Sequence, residues 1–303
     1  MMATAINRKS RSLCNVCARE VPARVFEEKG RIWMRKVCPA HGAFIAVVEK
    51  DPAFYRWFIS RAPRKHRSFE SLLLPITHRP DLTSREIEET IKKFKGKTII
   101  ISGGEPARRK DLARIIRFIK KSGKRAILET NGINLARASY LKELRNAGLD
   151  EVLFSLDSLK SLKKKALLNL KEEHVPTILC ATIYPGLNDR EFNGLLMFAL
   201  RHKDFITQMR YRSRRFMLSE LLTLFSRQVH ISEKILKTRF FKGRLGRSVI
   251  FLLKGLEVKL VGWPGVENID LKDLKTSMAY FRRKDKKFYK IFHGVILEER
   301  TRA

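Results

Sequence analysis

Between Leu72 and Arg214, short apolar runs alternate with segments in which apolar residues recur every three or four positions. The runs are Leu72–Thr77, Thr98–Ser102, Ala126–Thr130, Val152–Leu156, Thr177–Tyr184 and Ile206–Tyr211, each of strand length. Between them, Ile87, Ile91 and Phe94, then Leu112, Ile115, Ile116 and Ile119, then Leu141 and Leu144, then Leu162, Ala166 and Leu170, then Phe192, Leu195 and Ala199 predict five amphipathic helices. Thr83 with Glu86 reads as a capping box opening the first helix, and Asn188 with Glu191 as a similar start to the fifth. Such alternation predicts βα units and an α/β fold, a partial (β/α)6 TIM-like barrel or an open parallel sheet. After Tyr211 the pattern becomes two basic amphipathic helices, Met217–Ser226 and Glu233–Phe241. Two strand-like runs follow, Ser248–Leu253 and Val258–Val261, and then a Gly262-Trp263-Pro264-Gly265 turn. The expected organisation is an N-terminal metal-binding knuckle with a linker over 1–66, the partial barrel over 67–214 and a basic α+β region over 215–303.

Composition narrows the class. Of 303 residues, 44% are hydrophobic, enough for a full core, which excludes a disordered basic tail. No apolar run approaches the ~20 residues that span a bilayer. No secretory leader is legible in Met1–Arg11, where Arg8, Lys9 and Arg11 have no apolar stretch behind them, so a cytoplasmic location is expected. The 64 Lys and Arg outnumber the 31 Asp and Glu, a formal charge of +33 that predicts an anionic neighbour: nucleic acid, a membrane surface or an anionic substrate. The excess is steepest from Phe205 to Lys254, where a solvated basic face is the plain alternative. The basic run Lys284–Lys287, flanked by Phe281 and Phe288, is open to the same two readings.

Chemistry is concentrated in two places. Cys14-Asn15-Val16-Cys17 and Cys38-Pro39-Ala40-His41 are two pairs with two-residue gaps, joined by a segment with Gly30 as its turn and Ile32-Trp33-Met34 as a strand. One such turn aims two donors at one ion, so Cys14, Cys17, Cys38 and His41 are candidate ligands of zinc, or of iron in a rubredoxin-like site. A full set of four ligands makes the role structural. The second place is the carboxyl ends of the predicted strands: Ser102-Gly103-Gly104-Glu105-Pro106, Thr130-Asn131-Gly132, Ser155-Leu156-Asp157 and Tyr184-Pro185-Gly186-Leu187-Asn188. In parallel α/β folds ligands bind at that rim. Paired glycines let backbone approach a ligand, and Glu105 can accept from an ammonium group.

At these residues the chain resembles the radical S-adenosylmethionine superfamily, and within it the tetraether lipid synthase and pterin-methylating group. The resemblance covers Leu13 to Met209. It rests on the knuckle ending Cys38-Pro39-Ala40-His41-Gly42, on Ile101-Ser102-Gly103-Gly104-Glu105-Pro106 through Asp111-Leu112 to Thr130-Asn131-Gly132-Ile133, on Ala147-Gly148-Leu149-Asp150 and on Ser155-Leu156-Asp157. It implies that Gly103, Gly104 and Glu105 hold the amino group of S-adenosylmethionine, that Pro106 belongs to the same cofactor-binding motif, that Asn131 and Ser155 line the same pocket, and that a [4Fe-4S] cluster belongs to the site. It also implies radical alkylation or methylation of a lipid or cofactor as the ancestral activity.

The family's cluster motif, Cys-x3-Cys-x2-Cys after the first strand, has no counterpart here. That stretch reads Ile76-Thr77-His78-Arg79-Pro80-Asp81-Leu82-Thr83, as though a loop had been excised near Arg79-Pro80, and a second contraction follows Asp157. Outside the knuckle the sole thiol is Cys180, in a predicted strand where a buried, inert cysteine is expected. His78 could supply one ligand but does not replace three thiolates. Three functions are therefore in play: a degenerate relative that keeps an S-adenosylmethionine pocket, an active radical enzyme with unorthodox ligands, and a basic nucleic-acid or anionic-surface binder on an enzyme scaffold.

Overall fold

The computed structural model describes residues 5–17, 19–60, 71–77, 83–156, 161–238, 240–242, 248–263, 279–282, 288–292 and 295–300. His78, the Arg79-Pro80 junction, Asp157, Pro264-Gly265 and Lys284–Lys287 lie outside the described residues. Strands β1 (Asn7–Leu13), β2 (Glu20–Glu28), β3 (Arg31–Cys38) and β4 (Gly42–Glu49) form an antiparallel meander in sequence order. Alternation along β2 and β3 gathers Ala23, Val25, Ile32 and Met34 on one face, where they pack with Val48 and Tyr55. Tyr55 comes from helix α1 (Pro52–Ser60), whose Phe54 and Phe58 enter the core of the larger body instead. One helix thus contributes to two cores.

The larger body is a nine-stranded sheet. Strands β5 (Ser71–Pro75), β6 (Thr98–Ser102), β7 (Arg125–Thr130), β8 (Glu151–Ser155), β9 (Thr177–Ile183) and β10 (Ile206–Met217) are all parallel, and each lies beside its predecessor. The connecting helices α2 (Ser84–Lys93), α3 (Leu112–Lys121), α4 (Ala138–Asn146), α5 (Ser161–Glu172) and α6 (Phe192–Arg201) cover one face. Leu72, Leu74, Ile99, Ile101, Ala126, Leu128, Val152, Phe154, Leu179, Ala181, Met209 and Tyr211 point at those helices and are essentially inaccessible. At ~1.5–3 kcal/mol per large buried side chain, this layer dominates the stability. The residues between them line the opposite, concave face. This is the expected (β/α)6 architecture.

Helices α7 (Leu218–Val229) and α8 (Glu233–Thr238) follow, then β11 (Phe240–Lys242), β12 (Ser248–Leu253) and β13 (Leu256–Trp263). Strand β13 joins the sheet parallel to β10, with β12 and β11 antiparallel beyond it. The wall of the barrel therefore continues past residue 214. A separate antiparallel trio, β14 (Ala279–Arg282), β15 (Phe288–Phe292) and β16 (Val295–Arg300), places β14 alongside β5. The helix expected over Glu233–Phe241 stops at Thr238, because Phe240 and Phe241 pair with Phe251 and Ile250. Tertiary pairing there overrides the helical period.

Thr83 and Glu86 form the expected reciprocal cap. Asn188 does not cap α6. Its side chain accepts from Tyr184 N–H and donates to the Thr182 carbonyl, closing a turn, while the helix starts after Glu191 with no side-chain cap. The two bodies meet through buried Glu49, which accepts from Ser219 Oγ at 2.5 Å, and through Lys50 to Glu220 at 2.8 Å. No helix among the described residues is long and apolar enough to cross a membrane.

Candidate functional site

The ribbon brings its four predicted donors together. Cys14 and Cys17 lie in the turn after β1, Cys38 ends β3, and His41 sits in the following turn. The four ligand atoms lie within 4.8 Å of one another. His41 Nδ1 is 3.6 Å from Cys14 Sγ and 3.4 Å from Cys38 Sγ, and the Cys17 and Cys38 sulfurs are 3.9 Å apart. A tetrahedral ion with metal–sulfur bonds of about 2.3 Å sets edges of about 3.5–3.8 Å, so donor set and spacing fit. Burial raises the Cys14 thiol, but backbone N–H groups of Cys17 and Val16 and the neighbouring thiols outweigh it and bring it down to about 6. With all four positions filled, the ion would hold the turn and the β3–β4 reversal together and leave no place for a substrate.

The barrel mouth is built where β5, β6, β7 and β8 end. Gly103 adopts φ +96°, and a Cβ there would meet Pro75 Cα at 3.1 Å and Thr77 Oγ1 at 3.2 Å. A Cβ on Gly104 would also meet Thr77 Oγ1 at 3.2 Å. Thr77 Oγ1 is buried and has no hydrogen-bond partner among the described residues. A buried polar atom packed on two glycines and without a partner among the described residues is a group that a ligand's hydrogen bond would satisfy. Glu105 Oε1 accepts from Ala107 N–H at 3.0 Å and Thr130 Oγ1 at 2.6 Å, while Oε2 accepts from Asn131 N–H at 2.8 Å. The carboxylate thus welds the second strand end to the third, and Oε2 keeps acceptor capacity for an ammonium group. Pro106 is buried as the first residue of a short 3-10 turn. Asn131 Oδ1 accepts from Ile133 N–H at 2.9 Å. Half-buried Ser155 ends β8 on the concave face. Gly103, Gly104, Glu105, Asn131 and Ser155 therefore share one rim.

Arg109 and Asp111 support that rim, and the sequence reading gave neither a role. Arg109 grips Asp111 at two points and donates to the Ile76 carbonyl at 3.0 Å, while Asp111 accepts from Ser84 Oγ at 2.7 Å. The Arg109 guanidinium and then Ser84 hold the Asp111 carboxyl down at about 2 against burial.

Across the bowl lies a second set, partly drawn from the basic stretch Phe205–Lys254. Registers place Ser155 opposite Cys180, Cys180 opposite Arg210 and Arg210 opposite Lys259, one layer of side chains across four strands. The layer beneath is Glu129, Leu153, Ile178, Gln208 and Glu257. Arg212, one layer nearer the mouth, points its Nε and Nη2 at Cys180 Sγ at 3.0 and 2.7 Å and lies 3.9 Å from Glu129. Cys180 is buried as expected, but it carries a charged partner. The signal was present in the alternation Gln208, Arg210, Arg212 against Met209 and Tyr211, which is a strand with a polar inner face.

A three-thiolate [4Fe-4S] cluster does not fit these donors. Cys180 stands alone on the barrel wall, and the three remaining cysteines of the chain are in the ribbon.

Comparison with known proteins assigns the two bodies. Residues 68–199 match the radical SAM superfamily, and residues 6–50 match the HMPTM N-terminal zinc ribbon domain. The chain is thus similar to a zinc ribbon over its first body and to a radical SAM domain over the strands and helices that follow. Among relatives, it is 25% identical over 268 residues to 7,8-dihydro-6-hydroxymethylpterin dimethyltransferase of Methanocaldococcus jannaschii, covering 68% of this chain and 53% of that protein. It is 34% identical over 154 residues to GTP 3',8-cyclase of Helicobacter pylori, covering 46% of this chain and 45% of that one. The chain spans about half the length of these curated relatives. Among solved structures, Streptococcus suis SuiB bound to S-adenosylmethionine overlaps with a TM-score of 0.43 and 17% identity, over 56% of this chain and 46% of that one.

Proposed function

We propose that the protein binds S-adenosylmethionine at the barrel mouth and does not cleave it to a radical. The residues that would hold the cofactor are Gly103, Gly104 and Glu105 for the amino group, with Asn131 and Ser155 beside them. The observation that carries the reading is the pairing of two glycines packed against buried Thr77 Oγ1, unpartnered among the described residues, with a donor set too poor in sulfur for a cluster. When bound, the cofactor supplies an electrophilic sulfonium. The chain's own contribution is a carboxylate aimed at the amino group and a concave wall opposite. For the ribbon we assign zinc, on its three thiols and one imidazole in tetrahedral spacing. A cytoplasmic setting, where thiols stay reduced, suits this reading.

The test is calorimetry with S-adenosylmethionine and S-adenosylhomocysteine, paired with anaerobic iron–sulfide reconstitution and an assay for 5'-deoxyadenosine. Saturable binding without deoxyadenosine is expected. Deoxyadenosine from the pure protein overturns the proposal, and so does absence of binding. The net charge of +33 favours a second reading, a nucleic-acid or anionic-surface binder. Under it, nucleic-acid affinity falls steeply with salt.

A further inference from the structure

We propose that Arg210, Arg212 and Lys259 form a phosphate subsite on the concave wall, holding the phosphate group of a substrate across the bowl from Asn131 and Ser155. The inference deepens the reading of the rim as a ligand mouth by naming the substrate class: a phosphorylated small molecule. Three features of the wall support it.

First, the three cations converge. Arg210 and Lys259 are register partners on adjacent strands, and such strands run about 4.8 Å apart. Arg212 lies two residues further along β10, toward the mouth. Arg212 lays its guanidinium on Cys180 Sγ, and Cys180, Arg210 and Lys259 are successive register partners in one layer.

Second, the site retains donor capacity. Arg210 uses Nε and Nη2 on Gln208 Oε1, at 3.0 and 2.7 Å, which fixes the guanidinium plane and leaves Nη1. Gln208 is itself held by Glu257. Lys259 Nζ makes no hydrogen bond among the described residues. A fork and an ammonium set this way suit a tetrahedral dianion.

Third, positive charge is in excess on this part of the wall: Arg210, Arg212 and Lys259 stand beside two carboxylates, Glu129, 3.9 Å from Arg212, and Glu257. Like charges gathered in a poorly hydrated wall repel one another, and a bound anion relieves that cost. In keeping with this, burial and then the neighbouring Arg210 push the Lys259 ammonium down to about 7. Arg212 also lowers it, and Glu257 and Cys180 raise it.

The probe is inorganic pyrophosphate, titrated into the full-length protein by calorimetry at moderate salt. One saturable site is expected, weakened ~10-fold or more in Arg210→Gln and Lys259→Gln. Lys164→Gln with Lys165→Gln, on the exposed side of α5, should leave it unchanged. Equal weakening by both sets overturns the proposal, since it reports only bulk charge. Native protein gives an independent readout. Acylation with limiting acetic anhydride near pH 7, followed by peptide mapping, should label Lys259 early, and pyrophosphate should slow that labelling. Labelling insensitive to pyrophosphate overturns the subsite. A third arm separates sources of the anion. Pyrophosphate and S-adenosylhomocysteine binding together support a substrate site, and mutual exclusion assigns the cations to the cofactor's carboxylate and overturns it. Should pyrophosphate bind and S-adenosylhomocysteine not, the cofactor reading fails while the subsite stands.

Discussion

Arg109 holds Asp111 in a two-point grip, Nε to Oδ1 and Nη2 to Oδ2, both at 2.8 Å. The third arm of the guanidinium reaches the Ile76 carbonyl, and the far side of the carboxylate takes Ser84 Oγ. One ion pair thereby ties the loop after β6 to both ends of the β5–α2 connection. Asp111→Asn should cost ~1–3 kcal/mol, because it leaves a largely buried guanidinium without its partner. The effect has a pH signature. The carboxyl titrates near 2 in the folded protein and near 3.8 as a free group, so its stabilisation is full above about pH 4 and vanishes as pH falls toward 2. Urea unfolding of parent and Asp111→Asn across that window should converge at the acid end.

The ribbon should be metal-dependent. Cys38→Ser removes a sulfur that lies 3.4 Å from His41 Nδ1 and 3.9 Å from Cys17 Sγ. Elemental analysis should find about one zinc per parent chain and far less in the variant. Chelation of the parent should expose the ribbon core around Val25, Ile32 and Met34 to proteolysis.

Gly132 should tolerate no side chain. It sits at φ +80°, and a Cβ would fall 2.0 Å from Phe154 Cε2. Gly132→Ala must displace the Phe154 ring from the helix-facing core and strain the backbone, a loss of ~2–4 kcal/mol. Thermal unfolding should show a drop of several degrees.

Tyr211 donates its hydroxyl to the Phe192 carbonyl at 2.7 Å, inside a ring cluster with Phe192 and Phe225. Burial pushes the phenol well above its usual range. Tyr211→Phe keeps the ring contacts and deletes one bond, so about 1 kcal/mol should be lost, measurable by denaturant titration. The tyrosine absorbance of the parent should hold the Tyr211 phenol back from alkaline ionisation until the chain unfolds, together with that of Tyr140, which burial pushes up to about 12; Tyr211→Phe should remove one of the two.

Much of this molecule was legible in its residues. Six strands, the helices between them and the Thr83–Glu86 cap follow from periodicity, since one-sided burial writes a period of two or 3.6 into the sequence. The four donors of the ribbon follow from spacing. Asn188 misled because its side chain serves the turn after β9 rather than the helix, and both uses carry the same local signature. Phe240 and Phe241 left the helical pattern for a strand partner far off in the sheet, which no local window records. Arg210 and Arg212 sat in a stretch rich in basic residues, so composition masked their alternation with Met209 and Tyr211. Lys259 joins them only through β13, whose place beside β10 is a matter of topology.

The junction of Glu49 with Ser219 joins residues 170 positions apart, and Lys50 with Glu220 repeats the separation. The ribbon precedes the seventh helix along the chain, so during synthesis its buried carboxylate has no Ser219 hydroxyl to meet until that helix is made. The two bodies can therefore dock at this seam only after the 170 positions between Glu49 and Ser219 have been joined. A chain cut short of Ser219 would leave the Glu49 carboxylate without that hydroxyl and the seam unmade.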